Sequence, residues 1–137
     1  MLKMKWTEAF SVGVHAIDDQ HKKWIGIINK LHDSIINDSD DKKLTAQIMD
    51  EMVEYSKFHF EFEESILEKN GYPKIADHLK LHNSYIEMLL KKVQEGQDGE
   101  LMLNRDVMVM LINWLQNHIL VEDMKYKYFL KANDIDL

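Results

Sequence analysis

Residues 75–93, IADHLKLHNSYIEMLLKKV, combine an apolar repeat with two histidines one helical turn apart. The apolar residues recur every three or four positions, which places them on one face of an α-helix. His78 and His82 belong to the same face. A helix that buries this face therefore buries two imidazoles with its apolar side chains, which are Ile75, Leu79, Tyr85, Ile86, Leu89 and Val93.

Three further segments repeat the helical spacing. The quoted helix is expected over residues 74–95, and the other three over residues 19–37, 41–70 and 101–121. The expected core positions of these three are Trp24, Ile25, Ile28, Leu31 and Ile35; Leu44, Ile48, Met52, Tyr55, Phe62 and Ile66; and Val107, Leu111, Trp114, Leu115 and Val121.

Local signals mark where the helices begin and end. Asp18 or Asp19 is a suitable N-cap for the first helix. Gly71 favours termination of the second, and Pro73 suits the first turn of the third. The polar runs NDSDDKK (37–43) and GQDGE (96–100) are expected to be connecting loops.

The remaining segments lie at the two ends of the chain. Residues 1–17 are expected to form an extended arm packed on the helices, and the tail MKYKYFLKANDIDL (124–137) a last short helix. Four long amphipathic helices with short connections predict an all-α, antiparallel, up-down-up-down four-helix bundle. At 137 residues, we expect one domain spanning 1–137.

Composition excludes several classes of function. The formal net charge of -7 argues against binding to nucleic acid or to an anionic membrane surface. The chain contains no cysteine, so disulfides, thiolate nucleophiles and cysteine-ligated metal sites are excluded. No segment approaches the roughly 20 apolar residues of a membrane span, and the first 20 residues lack the apolar run of a signal peptide. We therefore expect a cytoplasmic monomer.

Histidine occupies the apolar face of every predicted helix. A single such histidine is more often a hydrogen-bonded core residue than a metal ligand. Here Glu63 also follows His59 by one turn, on the same face. Burying these groups without partners would cost roughly 1–3 kcal/mol each, which a metal centre would offset. The histidines are His21, His59, His78, His82 and His118.

Less specific interpretations of these residues stay open. His78 and His82 could form a surface pair, and Glu63 and Glu64 a solvated acidic face. His15 and His32 fit no ligand pattern, and we interpret them as ordinary or surface histidines. The chain contains no HExxH motif, and no histidine is preceded by glutamate three residues earlier, as it is in carboxylate-rich di-iron sites. Imidazole ligands suit Fe, Zn, Cu and Ni, and bridging carboxylates favour a paired centre.

The stretch HILVED (118–123) poses a geometric problem. On an ideal α-helix Glu122 lies within about 40° of the direction of His118, whereas Asp123 lies about 140° away. Helical periodicity alone therefore selects Glu122 as the acid that faces the same centre as His118.

Taken together, these motifs resemble the hemerythrin family, and within it the single-domain bacterial type, the bacteriohemerythrins. The resemblance spans nearly the whole chain, and as a set the motifs are highly specific. They are W6-x3-F10 with V12-G13, D19-Q20-H21, H59-F60-x2-E63-E64, H78-x3-H82, and W114-x3-H118-I119-x3-D123.

The resemblance implies a non-haem di-iron centre with an oxo or hydroxo bridge. One iron would be held by His78, His82 and His118, and the other by His21 and His59. Glu63 and Asp123 would bridge the two ions. This count leaves one position open, on the iron held by His21 and His59, where O2 would bind reversibly as a hydroperoxide.

The O2 pocket implied by the resemblance is apolar, so that water and reductants are kept out. Trp24 is bulkier than the aliphatic or Phe side chain expected at its position, which affects the size of the pocket. All six pocket positions also suit an ordinary bundle core, and they are Trp24, Phe60, Tyr85, Trp114, Leu115 and Ile119.

The family pattern selects Asp123, not Glu122, as the second bridging acid. Both observations are satisfied if the helix widens between residues 118 and 123, for instance as a π-bulge. We therefore predict such an irregularity, with Glu122 facing solvent or an outer hydrogen-bond donor.

The favoured function is O2 carriage, storage or delivery by a protein that is not an enzyme, with an unidentified protein client as a further partner. The first alternative is a di-iron oxidase, a peroxidase or a nitric-oxide-handling protein on the same scaffold. The second is an O2 or iron sensor, although the chain has no fused output domain. Imidazole and carboxylate ligands alone also do not select iron over zinc or manganese.

Overall fold

The computed structural model describes residues 3–36, 42–97 and 105–137, and within these ranges all regular secondary structure is helical, without strands. The predicted all-α four-helix bundle is confirmed. A 3-10 turn, Glu8–Phe10, precedes the first helix. The helices are α1 (His15–Ile36), α2 (Lys42–Lys69), α3 (Ile75–Gln97), α4 (Arg105–Asn117), a π-helical segment (His118–Asp123) and α5 (Met124–Ala132).

Contacts between α1 and α2 show that these helices are antiparallel. His21 lies against His59, and further along α1 the Lys30 ammonium donates to the Glu51 carboxylate at 2.9 Å. Residue numbers thus rise along α1 as they fall along α2. The same holds for α2 and α3, where Tyr85 lies near Met52 while His78 lies near Glu63.

The predicted limits of α2 and α3 and the predicted end of α1 lie within two residues of the observed ones. The start of α1 and the end of α4 differ more, and α4 ends at Asn117, four residues before the predicted end, because the π-helical segment begins there. Helix α1 begins at His15, so the extended arm is shorter than the predicted 1–17, and Asp18 is not the N-cap. The Asp18 carboxylate instead accepts hydrogen bonds from the Val12 N–H at 2.8 Å and the Ser11 hydroxyl at 2.6 Å. Asp18 therefore ties the arm to the first turn of α1.

Some sequence predictions fall outside the described residues. One is the start of the fourth helix, at residues 101–104. The others are residues 37–41 of the first predicted loop and residues 98–100 of the second predicted loop. The first two residues of that second predicted loop, 96–97, belong instead to α3.

The arm lies along α1 and closes one side of the bundle. The Asn29 side chain hydrogen bonds both the N–H and the C=O of Met4, at 3.1 and 2.9 Å. Near the other end of the arm, the Lys127 ammonium donates to the Ser11 carbonyl at 2.9 Å. Val12 and Val14 are buried. The arm is thus an integral part of the core.

Two apolar clusters fill the bundle. The larger includes Trp24, Met52 and Leu111, and the smaller includes Leu67 and Tyr126. Along each helix, the buried histidines other than His32 and the buried carboxylates lie where the residues of one cluster give way to those of the other. The apolar clusters therefore flank a polar layer.

Two residues predicted as core are exposed. Leu44, in the first turn of α2, is 42% exposed because it lies near the end of the bundle. Val121 is 52% exposed because the π-helical segment turns residues 120 and 121 outward. The predicted tail helix is confirmed as α5. No helix in the described ranges has the length and hydropathy needed to cross a membrane.

The end of α2 is set by Gly71, whose φ is +69°. The Tyr72 N–H reaches back to the Leu67 carbonyl at 3.0 Å, and the Gly71 N–H to the Glu68 carbonyl at 3.2 Å. This pair of bonds is a Schellman motif, which needs a left-handed residue after the helix. The turn leads the chain directly into α3 and so fixes the position of His78.

Replacing Gly71 by alanine should lower the free energy of unfolding by about 1–2 kcal/mol, because a Cβ disfavours the left-handed conformation. No heavy atom would lie within 4 Å of that Cβ, so the loss reflects backbone strain alone. Gly26→Ala is the matched control. Gly26 is helical and exposed, and alanine there should stabilise by roughly 0.5–1 kcal/mol. Urea unfolding measures the free energy of unfolding of both variants. A change in the same direction in both would contradict the role of Gly71 as the left-handed residue that ends α2.

Candidate metal centre

The seven predicted ligands converge in the polar layer between the two apolar clusters. In one group, possible ligand atoms of five buried residues lie within 4.8 Å of one another. A second group of three shares Glu63 with the first. The five are Glu63, His78, His82, His118 and Asp123, and the three are His21, His59 and Glu63.

Each helix contributes side chains to the polar layer, and the spacing of these residues along the helix places them on one face. α1 provides His21, and α2 provides His59 and Glu63 one turn apart. α3 provides His78 and His82, again one turn apart, and the π-helical segment provides the remaining two residues. The four-residue spacing in α2 and α3 is what allows two side chains of one helix to reach one centre.

The two carboxylates are shared between the histidine groups. Glu63 Oε1 lies 2.7 Å from His78 Nε2, while its Oε2 lies 3.3 Å from His59 Nε2. Asp123 is arranged alike: its Oδ1 lies 3.1 Å from His118 Nε2, and its Oδ2 lies 3.3 Å from His21 Nε2. Each carboxylate therefore directs one oxygen to each group, as a ligand bridging two cations would.

The donor atoms of this layer fit buried cations. His21 Nε2 faces His59 Nε2 at 3.2 Å, and His82 Nε2 faces His118 Nε2 at 3.1 Å. In a neutral imidazole whose proton is on Nδ1, Nε2 can only accept a hydrogen bond. Two such Nε2 atoms that face each other therefore present two lone pairs and no proton. Both Asp123 oxygens are buried without a hydrogen-bond partner of good geometry among the described residues. Cations between these atoms would satisfy lone pairs that are otherwise costly to bury.

The π-helical segment resolves the choice between Glu122 and Asp123. It covers His118–Asp123, where the sequence predicted a departure from α-helical geometry. The wider turn brings Asp123 back to the face of His118, and its side chain is fully buried. Glu122 points away and accepts from the Lys125 ammonium at 3.0 Å. The predicted irregularity is confirmed.

Buried charge shifts the protonation of the layer in the metal-free chain. Burial alone would raise the pKa of Glu63, but hydrogen bonds from His59, His78 and His82 hold it well below its usual value. Burial and the Glu63 charge would likewise raise the pKa of Asp123, but His118 and His21 lower it. Both acids are therefore carboxylates, as metal ligands must be.

The carboxylates outweigh the effect of burial on the pKa at two of the histidines but not at a third. Burial would lower the pKa of His78, yet the carboxylates of Asp123 and Glu63 raise it to about 10. The pKa of His82 is also raised, against the effect of burial, by Glu63 and Glu64. The pKa of His59 is lowered by burial. Without metal, protons on His78 and His82 thus occupy the place that cations would take.

Three residues around the layer orient the ligands, and the sequence analysis assigned none of them this role. Gln20 Oε1 accepts from His59 Nδ1 at 2.8 Å, and Glu64 Oε2 accepts from His82 Nδ1 at 3.2 Å. Each bond fixes the proton on Nδ1 and leaves Nε2 facing the centre.

The third of these outer residues is Tyr126, whose hydroxyl donates to Glu63 Oε2 at 2.9 Å. Its position one helical turn after Asp123 is the signal that could have identified it. Because Tyr126 belongs to the smaller apolar cluster, it connects that cluster to the polar layer.

The six predicted pocket residues line one side of the layer. Phe60 stacks on His82 with ring centroids 3.8 Å apart, and Trp114 stacks on His118 at 4.6 Å. The Trp24 indole covers His59 at 5.1 Å. Leu115, Ile119 and Tyr85 are buried, whereas Trp114 is partly exposed.

The two remaining histidines lie outside both ligand groups. His15 is exposed, as expected, and pairs with Asp19 at 3.4 Å. His32 is only 4% exposed, so of the two interpretations, ordinary or surface histidine, the structure contradicts the second. Its two ring nitrogens have no hydrogen-bond partner among the described residues.

Comparison with known proteins identifies the family and the fold. Residues 12–130 match the family model described as the hemerythrin HHE cation binding domain. The chain belongs to the hemerythrin family. The seven candidate ligands lie within the matched range, so the cation-binding description covers the layer described above.

Several relatives that match the chain are named bacteriohemerythrins. The chain is 32% identical to the bacteriohemerythrin of Stenotrophomonas maltophilia over 136 residues, which cover 97% of this chain and 85% of that protein. It is also 32% identical to the bacteriohemerythrin of Methylococcus capsulatus, over 96% of this chain and all of that protein. A crystal structure of wild-type hemerythrin, 31% identical, superposes with a TM-score of 0.86 and covers 92% of this chain and 96% of its own.

Tyr126→Phe should weaken metal retention about 10–100-fold, since the bond that orients Glu63 is lost. A chelator competition assay measures it. Tyr128→Phe removes the same hydroxyl from a side chain that is 66% exposed, and it should behave as the wild type. If the two variants release metal at equal rates, the Tyr126 bond does not position Glu63.

The metal-free chain should become less stable as the pH rises above neutrality. The pKa of His78 in the folded chain, about 10, exceeds its unfolded value of 6.5. This stabilising contribution is therefore complete below pH 6.5 and is lost as the pH rises through about 10. In the metal-loaded protein cations replace the proton, so the alkaline loss should be smaller.

The measurement is urea unfolding at pH 6.5 and 9.5 with and without metal, and His78→Gln is the control because it removes the titrating group. Equal stability of the metal-free wild type at both pH values would contradict this prediction.

Proposed function

We propose that this hemerythrin-family chain binds O2 reversibly at a pair of non-haem iron ions, for O2 carriage, storage or local delivery. The observation that carries the proposal is the unequal division of the buried histidines around two shared carboxylates. Three histidines lie on one side and two on the other, so the two cations would differ in the number of protein ligands.

The proposed ligands follow the division of the carboxylate oxygens. His78, His82 and His118 would hold one iron, and His21 and His59 the other. Glu63 and Asp123 would reach both ions, because each directs one oxygen to either group. The side with two histidines has the smaller number of protein ligands, and we place O2 there.

When bound, the iron pair with its oxo or hydroxo bridge supplies the electrons and the proton that reversible O2 binding requires. The protein residues supply the environment. Phe60 and Trp114 stack on ligand imidazoles and limit the access of water to them. Gln20 and Glu64 hold the imidazole rings in one orientation.

The comparisons support the coarser part of this proposal. Relatives named bacteriohemerythrin match the chain over nearly its full length, and the family is described as cation binding. An iron pair, its bridge and the O2 chemistry go beyond those descriptions. The mixed imidazole and carboxylate ligands are consistent with iron but do not select it.

The test is to load the protein anaerobically with ferrous iron and expose it to air. We expect an absorption band that appears with O2 and disappears on its removal, over repeated cycles. Immediate irreversible oxidation would contradict reversible binding, and multiple turnover of peroxide with a reductant would indicate a peroxidase instead.

Metal content tests the ligand assignment separately. His21→Ala and His118→Ala should each retain less iron than the wild type, because each removes a ligand from a different ion. His15→Ala, at an exposed histidine, should retain the full iron content. Iron is measured by metal analysis of the purified proteins, and full loading of both ligand variants would contradict the assignment.

A further inference from the structure

The bundle layer next to His21 and His59 contains polar atoms that an apolar pocket would not need. Trp24 follows His21 by three residues on α1, and Ser56 precedes His59 by three residues on α2. Because the two helices are antiparallel with His21 facing His59, Trp24 and Ser56 occupy the same level of the bundle. Tyr85 of α3 joins this level through its ring contact with Trp24, at 5.6 Å between centroids.

These polar atoms are buried and poorly satisfied. Trp24 and Ser56 are fully buried, and within the described part of the chain neither Trp24 Nε1 nor Ser56 Oγ has a hydrogen-bond partner. Tyr85 is 1% exposed, and among the described residues its hydroxyl donates only to the Met52 thioether, at 3.7 Å. A buried donor without a good partner costs roughly 1–3 kcal/mol, so three at one level require an explanation.

The three groups lie close to one another and to the side of the layer with two histidines. The Trp24 indole packs on His59 at 5.1 Å and on Tyr85. Burial raises the pKa of the Tyr85 hydroxyl, and the Trp24 indole N–H partly opposes that rise. Met52, which accepts from Tyr85, is one helical turn from Ser56. Three helices thus each place one buried donor at the same level of the bundle, beside His59.

We infer that Trp24 Nε1–H, Ser56 Oγ–H and Tyr85 Oη–H form a hydrogen-bonding subsite for a small ligand with acceptor atoms, next to His21 and His59. This inference rests on the proposed function, because it concerns the ligand of that same site. It assigns to Trp24 a second role besides filling space, and it assigns Ser56, which the sequence analysis did not single out, to the pocket. Donors at this position favour ligands that carry negative charge over neutral ones.

The inference is tested with azide, a small anion with acceptor nitrogen atoms, on the iron-loaded protein in its ferric form. Ser56→Ala and Tyr85→Phe each remove one hydroxyl with little change in shape. Each should raise the azide dissociation constant about tenfold, equivalent to ~1.4 kcal/mol. Trp24→Phe should raise it as well, and thermal melting of each variant confirms that it is folded.

Trp6→Phe is the matched control for Trp24→Phe. Trp6 lies in the arm, and its indole nitrogen is also buried without a hydrogen-bond partner among the described residues. The same substitution there should leave azide affinity unchanged. In addition, the indole N–H resonance of Trp24, assigned from its absence in Trp24→Phe, should shift when azide is added, whereas that of Trp6 should not.

Unchanged azide affinity in Ser56→Ala and Tyr85→Phe, or an unmoved Trp24 resonance, would overturn the subsite while leaving the proposed function intact. A wild-type protein that binds O2 reversibly but binds no azide would also overturn the subsite and leave the proposed function intact. A wild-type protein that binds iron but neither O2 nor azide would overturn both proposals.

Discussion

The constraint on which this structure depends is the burial of five imidazoles and two carboxylates in one layer of a four-helix bundle. All seven side chains are at most 3% exposed. Such groups are costly to remove from water unless each lone pair and proton finds a partner. The rest of the bundle is arranged around this requirement, with apolar clusters on both sides and outer residues that fix the orientation of individual ligands.

Because of the same requirement, different positive charges would neutralise the carboxylates in the metal-free and metal-loaded forms. Without cations, the layer is held by hydrogen bonds between the carboxylates and histidines such as His78. Cations bound there would displace the protons, and the same atoms would act as ligands. The site can therefore be assembled before metal binds, because either set of positive charges neutralises Glu63 and Asp123.

Much of the fold could be predicted because helical periodicity is a local property of the sequence. The spacing of His59 and Glu63, or of His78 and His82, needs only one helix, and Gly71 marks a stop by its own conformational freedom. The start of α1 was missed because Asp18 bonds outward to the arm and not to the helix N-terminus, a choice that depends on tertiary contact. Trp24, Ser56 and Tyr85 come from three helices, so their shared level appears only once the bundle is assembled.

The π-helical segment HILVED (118–123) determines the positions of two side chains, those of Asp123 and Tyr126. In a regular α-helix, His118 and Asp123 would point about 140° apart, and only one could face the histidines of the other helices. The π-helical segment removes that conflict and also sets the direction of α5, which begins at the next residue. Because Tyr126 lies one turn into that helix, the segment also places the hydroxyl that donates to Glu63. A regular helix here would therefore misplace Asp123 and Tyr126 together, so the orientation of both carboxylates depends on six residues of backbone.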